Sequence, residues 1–127
     1  MPRGIDISIS KKGDRDYALS VVGRIDSETY LEFEKTVAPV LEANPSKVLV
    51  DLAQCHYISS AGIRVLFDLR KQIITKRGVL SFCNLQPQIR KIFEIIKALP
   101  LECVFSNEAE ADAYLDRMIA EDTPNES

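Results

Sequence analysis

A short apolar run near the middle of the chain constrains the fold more than any other feature of the sequence. The six residues from Lys47 to Leu52 (KVLVDL) are apolar almost without interruption, which is typical of a strand that is buried on both faces. Such a strand lies inside a sheet that other layers cover. The run therefore predicts an α/β architecture.

The first part of the chain predicts a β-hairpin. Ile5, Ile7 and Ile9 alternate with polar residues, which is the period of a half-buried strand. A charged turn over 11–16 separates them from a second apolar segment over 17–22. Two such strands joined by a loop of a few residues are expected to pair antiparallel.

Helical spacing of apolar residues then alternates with short strands. The first helix is expected after Asp26 or Ser27, either of which can cap it. The later strands are expected over 47–52, 79–83 and 101–105. The second helix is expected after a loop over 53–58, the third from Gln86-Pro87, and the last after Ser106 or Asn107. The inner stripe predicted for the second helix consists of Ile63, Leu66, Phe67, Arg70, Ile73 and Ile74. The order β-β-α-β-α-β-α-β-α predicts parallel strands joined by right-handed crossovers, with an antiparallel pair at the start.

Composition narrows the class of protein. The 127 residues are 46% hydrophobic and carry a net charge of −3, so one domain over 1–127 is expected, with an ordered core over about 4–119 and an acidic tail over 120–127. The mild acidity argues against a nucleic-acid binder. The sequence contains no run of about 18 apolar residues, so no membrane span is expected. It also shows no long unpaired apolar stripe that an oligomer would bury, so a monomer is expected.

The usual signals of an enzyme or a metal site are missing from the sequence. His56 is the one histidine, and neither a GxSxG elbow nor a GxxxxGK[ST] or GxGxxG loop occurs. Cys55, Cys83 and Cys103 form no CxxC pair, so neither a zinc site nor a redox dithiol is expected. With no apolar signal core at the amino terminus, the chain is expected in the cytoplasm. A non-enzyme without metal or cofactor is predicted.

The segment from Asp51 to Leu66 has a pattern that suggests more than a structural role, because two serines follow a buried strand at the start of a helix. Ligands and partners bind at the carboxyl ends of strands in open α/β sheets. A helix start also accepts a phosphate on serine, because its N–H groups are free and its dipole end is positive. The simpler interpretation is that Ser59 is only a cap and Ser60 an ordinary first-turn residue. Gly62 either allows close approach of another backbone or packs against the sheet.

This segment resembles the signature of STAS domains, the family of the bacterial anti-sigma factor antagonists. The element Gly23-Arg-Ile-Asp26 resembles the family's Gly-x-Leu-Asp, and the segment from Gln86 to Phe93 resembles the start of its third helix. The likeness extends from about Ile5 to Met118. It implies a mixed β-sheet with helices mostly on one face.

The resemblance also implies a function without catalysis. Stand-alone members bind a serine kinase that doubles as an anti-sigma factor, phosphorylation of one serine breaks the complex, and a PP2C-type phosphatase restores it. The family's phosphoserine falls on Ser60. Ser59 stands where the family often has Asp, so it offers a second hydroxyl and remains the alternative acceptor.

A partner footprint around the serine pair follows from this prediction, with Ile63 as an apolar anchor if it is exposed. The footprint consists of Asp26, Ser27, Ser59, Ser60, Ala61, Gly62, Ile63 and Arg64. The alternative is a regulatory STAS module that binds a nucleotide or another small ligand beside the same helix start. The missing glycine-rich loop favours the interaction switch.

Overall fold

Five strands of one sheet and three helices make up the described part of the computed structural model, residues 4–96 and 104–105. The elements are β1 (Ile5–Lys11), β2 (Asp16–Ile25), α1 (Tyr30–Glu42), β3 (Lys47–Ile58), α2 (Ser60–Thr75), β4 (Val79–Cys83), α3 (Pro87–Ile96) and β5 (Val104–Phe105). The strands lie in the order β1-β2-β3-β4-β5. Only β1 and β2 pair antiparallel, which confirms the mixed sheet and its opening hairpin. The predicted last helix, the tail and the first three residues of the strand predicted over 101–105 lie outside the described residues.

The three helices bury their apolar sides in one core with the strand residues that face them. Val50 and Phe82 point into this core, whereas Leu49 and Cys83, which alternate with them, form a separate buried pair. The rings of Phe82 and Phe93 pack edge to face with centroids 5.2 Å apart, which seats α3 on the sheet. The prediction that the strand over 47–52 is buried on both faces is confirmed, since Val48, Leu49, Val50 and Leu52 are all buried.

The third strand is twice as long as the sequence predicts. It continues beyond Leu52 through the segment expected as a loop and ends at Ile58. This β3 tail, residues 53–58, pairs in parallel with the last part of β2, from Val22 opposite Gln54 to Ile25 opposite Ile58. One register shift lies just before Val22 and a second lies between Gly23 and Arg24. The shifts interrupt the alternation of buried and exposed residues, so the tail carries no period-2 signal.

The outer edge of the β3 tail is covered by two side chains from the start of α3. Pairing with β4 covers β3 from Lys47 to Asp51. Beyond it, the amide of Gln86 donates to the carbonyl of Ala53 at 2.8 Å, and that of Gln88 donates to the carbonyl of His56 at 3.1 Å. Backbone acceptors at the strand edge are thereby satisfied without a further strand.

Two predicted details of the helices are wrong. The first helix begins later than expected, at Tyr30 with Thr29 in the cap position, because the chain makes a turn after Asp26. In α2 the inner stripe is rotated, and Val65 and Leu69 are buried in place of Phe67 and Ile74, which are 36% and 47% exposed. Both sets fit helical spacing, so the spacing alone does not select between them.

Candidate functional site

The two predicted serines stand at the start of α2. Ser59 has extended backbone (φ −88°, ψ −179°) and is the N-cap, and its Oγ accepts the N–H of Gly62 at 3.3 Å. Ser60 is the first helical residue and is exposed. Because the cap uses the Ser59 oxygen as an acceptor, the hydroxyl of Ser60 is the more available of the two.

The start of α2 rests on the last backbone carbonyl of β2. The N–H of Ser59 donates to the carbonyl oxygen of Ile25 at 2.9 Å. A Cβ on Gly62 would overlap that same oxygen and would lie 2.8 Å from Cγ2 of Ile58. The glycine therefore provides both the close backbone approach and the packing against the sheet that the sequence left open.

A compact polar turn follows Ile25. Asp26 Oδ1 accepts the N–H groups of Glu28 at 2.9 Å and Thr29 at 3.1 Å, and its Oδ2 lies 2.6 Å from Nε of Arg24. The hydroxyl of Thr29, which is 1% exposed, donates to the carbonyl of Arg24 at 2.9 Å and accepts the N–H of Asp26 at 2.9 Å. These bonds fix the shape of the turn.

The Arg24–Asp26 pair is held in its charged form. Desolvation by itself raises the pKa of Asp26, but the hydrogen bonds from the Glu28 N–H and from Arg24 outweigh it, and the pKa is lowered from its usual range. The hydrogen bond and negative charge of Asp26 in turn raise the pKa of Arg24. Glu28 adds a second carboxylate contact to Arg24, at 3.2 Å.

The predicted footprint residues lie on neighbouring segments. Ile25 binds the N–H of Ser59 and directly precedes Asp26, so the polar turn and the start of α2 lie side by side. Their exposure differs: Ser27, Ser60 and Arg64 are exposed, Asp26, Ser59 and Ala61 are half-buried, and Gly62 and Ile63 are buried.

Ile63 supplies no exposed anchor, in contrast to the prediction. Its side chain is 6% exposed and belongs to the core, because it points towards the sheet from the first turn of α2. Arg24 and Thr29, which shape the turn, were missed. The sequence signal for Thr29 is its position three residues after Asp26, the spacing at which a side-chain hydroxyl and carboxylate can exchange bonds with the backbone.

Cys55 is a free cysteine buried in the core. Burial raises the pKa of the Cys55 thiol, as expected for a cysteine that packs as a small hydrophobe. Within residues 4–96 and 104–105, no group of three or more His, Cys, Asp or Glu residues is placed to hold a metal ion. None of the helices in this described part is long and apolar enough to span a membrane.

Residues 8–111 match the family model described as the STAS domain. The chain belongs to the STAS domain family. A protein of Bordetella bronchiseptica that is named as an anti-sigma factor antagonist, BtrV, is 36% identical over 93 residues, which are 72% of this chain and 80% of BtrV. The resemblance inferred from the segment around the serines is confirmed.

Solved anti-sigma factor antagonists have the same STAS fold. One from Mycobacterium paratuberculosis gives a TM-score of 0.77 at 19% identity, covering 91% of this chain and 97% of that chain. Unphosphorylated SpoIIAA gives 0.73 at 13% identity, with coverages of 91% and 97%. Phosphorylated SpoIIAA of Bacillus gives 0.69 at 11% identity, with coverages of 89% and 99%. At these identities the likeness establishes the architecture.

Proposed function

We propose that this STAS domain is an anti-sigma factor antagonist whose binding to an anti-sigma factor is ended by phosphorylation of Ser60. The observation that carries the proposal is the exposed position of Ser60 in the first turn of α2, at the family's signature segment. Support comes from BtrV, which is named as an antagonist, and from SpoIIAA, whose structure is known in phosphorylated and unphosphorylated forms.

The fold is expected to tolerate a phosphate on Ser60. The first turn of α2 contains no acidic residue, and a phosphoserine adds about −1.5 to −2 charge at pH 7. Negative charge at a helix N-terminus is favoured by the helix dipole and by free N–H groups. Phosphorylation therefore changes the charge of the surface without unfolding the domain.

The same phosphate is expected to oppose binding. An interface centred on Ser60 removes the site from water, and an unpaired charge is strongly unfavourable there. The partner we expect is an anti-sigma factor that also acts as the serine kinase, with a PP2C-type phosphatase that reverses the modification. Ser59 is the weaker acceptor, since its Oγ accepts the N–H of Gly62 and it is half-buried.

The test combines phosphorylation and binding of three variants. The chain is incubated with the kinase and ATP, the phosphate is located by mass spectrometry, and binding is measured by calorimetry. Ser60→Ala is expected to take up no phosphate and to bind persistently. Ser60→Asp is expected to fold but to bind roughly 30-fold to several-thousand-fold more weakly, since a mismatched charge in an interface costs roughly 2–5 kcal/mol.

The controls separate charge from position. Ser10→Asp places the same charge on the exposed surface of β1 and is expected to leave binding unchanged. If Ser59→Ala loses phosphorylation and Ser60→Ala keeps it, the acceptor is Ser59. If neither serine accepts phosphate and the chain binds no anti-sigma factor, the proposal fails and the small-ligand module becomes the better explanation.

A further inference from the structure

A row of exposed residues runs along α2 from Ser60. Arg64, Phe67, Lys71 and Ile74 follow Ser60 at intervals of three or four residues, so all of them lie on one side of the helix. All are exposed to solvent, with Phe67 at 36% and Ile74 at 47%. We term the four residues Arg64, Phe67, Lys71 and Ile74 the α2 ridge.

In the part of the chain that the structure describes, the α2 ridge has no part in the core. The buried side of α2 carries Leu66, Leu69 and Ile73, and a helical spacing of 100° per residue places the ridge on the opposite side. Phe67 and Ile74 are therefore apolar residues on the solvent-facing side of the helix. The two apolar side chains lie two helical turns apart, with Lys71 between them.

The ridge is positively charged on a chain that is acidic overall. The net charge of the chain is −3, yet the ridge carries Arg64 and Lys71. Within the described residues neither cation forms an ion pair with a carboxylate, and Lys71 Nζ lies 5.8 Å from the ring centroid of Phe67. An acidic partner surface is complementary to this ridge, whereas a basic one is repelled.

We propose that the α2 ridge docks the anti-sigma factor, through an acidic segment of that partner whose apolar side chain covers Phe67. The proposal rests on the proposed function and specifies its surface. Arg64 is four residues after Ser60 on the same side of α2, within the range of i, i+4 charge pairs. A phosphate on Ser60 pairs with Arg64, removes a cation from the ridge and repels the acidic segment.

The binding test uses ridge variants and matched variants on another helix. Arg64→Glu, Lys71→Glu and Phe67→Ser are each expected to weaken binding of the anti-sigma factor kinase about tenfold or more. Lys91→Glu and Ile95→Ser make the same kinds of change at exposed positions of α3 and are expected to stay within about threefold of the unmodified chain. The two charge reversals are also expected to reduce the salt dependence of binding.

A second arm needs no partner. The chain is produced with phosphoserine at position 60, and the second pKa of the phosphate is followed by phosphorus NMR. Arg64→Gln is expected to raise that pKa by about 0.3 pH units, since an i, i+4 pair contributes roughly 0.2–0.5 kcal/mol. Lys91→Gln is the control and is expected to leave it unchanged. An equal phosphate pKa with and without Arg64 overturns the pairing.

The outcomes separate this proposal from the proposed function. If the unmodified chain does not bind, both fail. If it binds, and Ser60→Asp abolishes binding while all three ridge variants bind normally, the ridge alone is overturned. A loss of binding confined to Glu34→Lys would move docking to the groove between α1 and α2, which Glu34 and Asp68 line. Thermal unfolding of each variant shows whether it is folded. If Phe67→Ser does not fold, Arg64→Glu and Lys71→Glu test the proposal without it.

Discussion

Replacement of Gly62 by alanine is expected to destabilise the domain although alanine is the better helix former. Alanine gains about 1 kcal/mol over glycine in a helix interior. Here, however, the added methyl group would overlap the carbonyl oxygen of Ile25 and would lie 2.8 Å from Cγ2 of Ile58. The oxygen belongs to the backbone of β2, so it cannot rotate away as a side chain could.

The cost follows from the contacts that must be given up. Relief of the overlap requires the start of α2 to move by roughly 1 Å, to reach ordinary van der Waals separation. The same movement stretches the 2.9 Å bond from Ser59 N–H to Ile25, which contributes about 0.5–1.5 kcal/mol. Overpacking adds typically 1–3 kcal/mol. After the gain in helix propensity, the net loss is about 1–3 kcal/mol.

Urea unfolding followed by circular dichroism measures this loss, and a thermal midpoint lower by about 3–15 °C is expected with it. Gly13→Ala is the matched control. A Cβ there would meet the carboxylate oxygen of Asp16 at 3.0 Å, and that flexible tip can move, so the change is expected within about 0.5 kcal/mol. A Gly62→Ala domain as stable as the unmodified one, or more stable, would refute the argument from the Ile25 carbonyl.

Two further predictions concern the cap and the polar turn. Ser59→Ala is expected to lose about 0.5–1 kcal/mol of unfolding free energy, since the hydrogen bond from Gly62 to Ser59 is long at 3.3 Å. The control Ser27→Ala, at an exposed position, is expected to lose none. Equal losses of the two variants in urea unfolding would contradict the role of Ser59 as a cap. Asp26→Asn is expected to be less stable than the unmodified chain at neutral pH, and the difference is expected to shrink below about pH 4 and disappear as pH falls through the lowered pKa of Asp26. A difference that does not change with pH would show that the carboxylate charge has no part in it.

Local signals predicted most of the fold. The charged turn over 11–16 specified the hairpin, the serine pair specified the start of α2, and Pro87 specified the start of α3. Each of these signals acts within a few residues of the chain, through caps, turn residues or a missing N–H. The order of elements then followed from the rules for crossover connections.

The errors arose where structure depends on distant partners. The β3 tail is a strand because the end of β2 lies beside it. No local signal within residues 53–58 predicts this pairing. Phe67 and Val65 both fit an amphipathic spacing, and the rotation that α2 adopts places Gly62 against the carbonyl oxygen of Ile25. The side of α2 that faces solvent could not be predicted from spacing alone.

The candidate site divides in the same way. The position of Ser60 followed from the sequence because a helix cap is local. The bonds among Arg24, Asp26 and Thr29 did not, since they need the particular turn that the chain adopts after β2. Ile63 was misplaced in the expected interface for a related reason, because its burial depends on how closely the first turn of α2 approaches the sheet.

The glutamine cover of the β3 tail has a consequence for how the protein behaves when concentrated. An open strand edge can pair with a strand of a second molecule, and such pairing is a common origin of aggregation. Gln86 and Gln88 occupy acceptors on that edge with side chains from the same molecule. The strand β3 can thus extend past β4 and place the start of α2, with its serines, at the rim of the sheet. The exposed edge that this extension creates is covered, so it does not pair with the strand of another molecule.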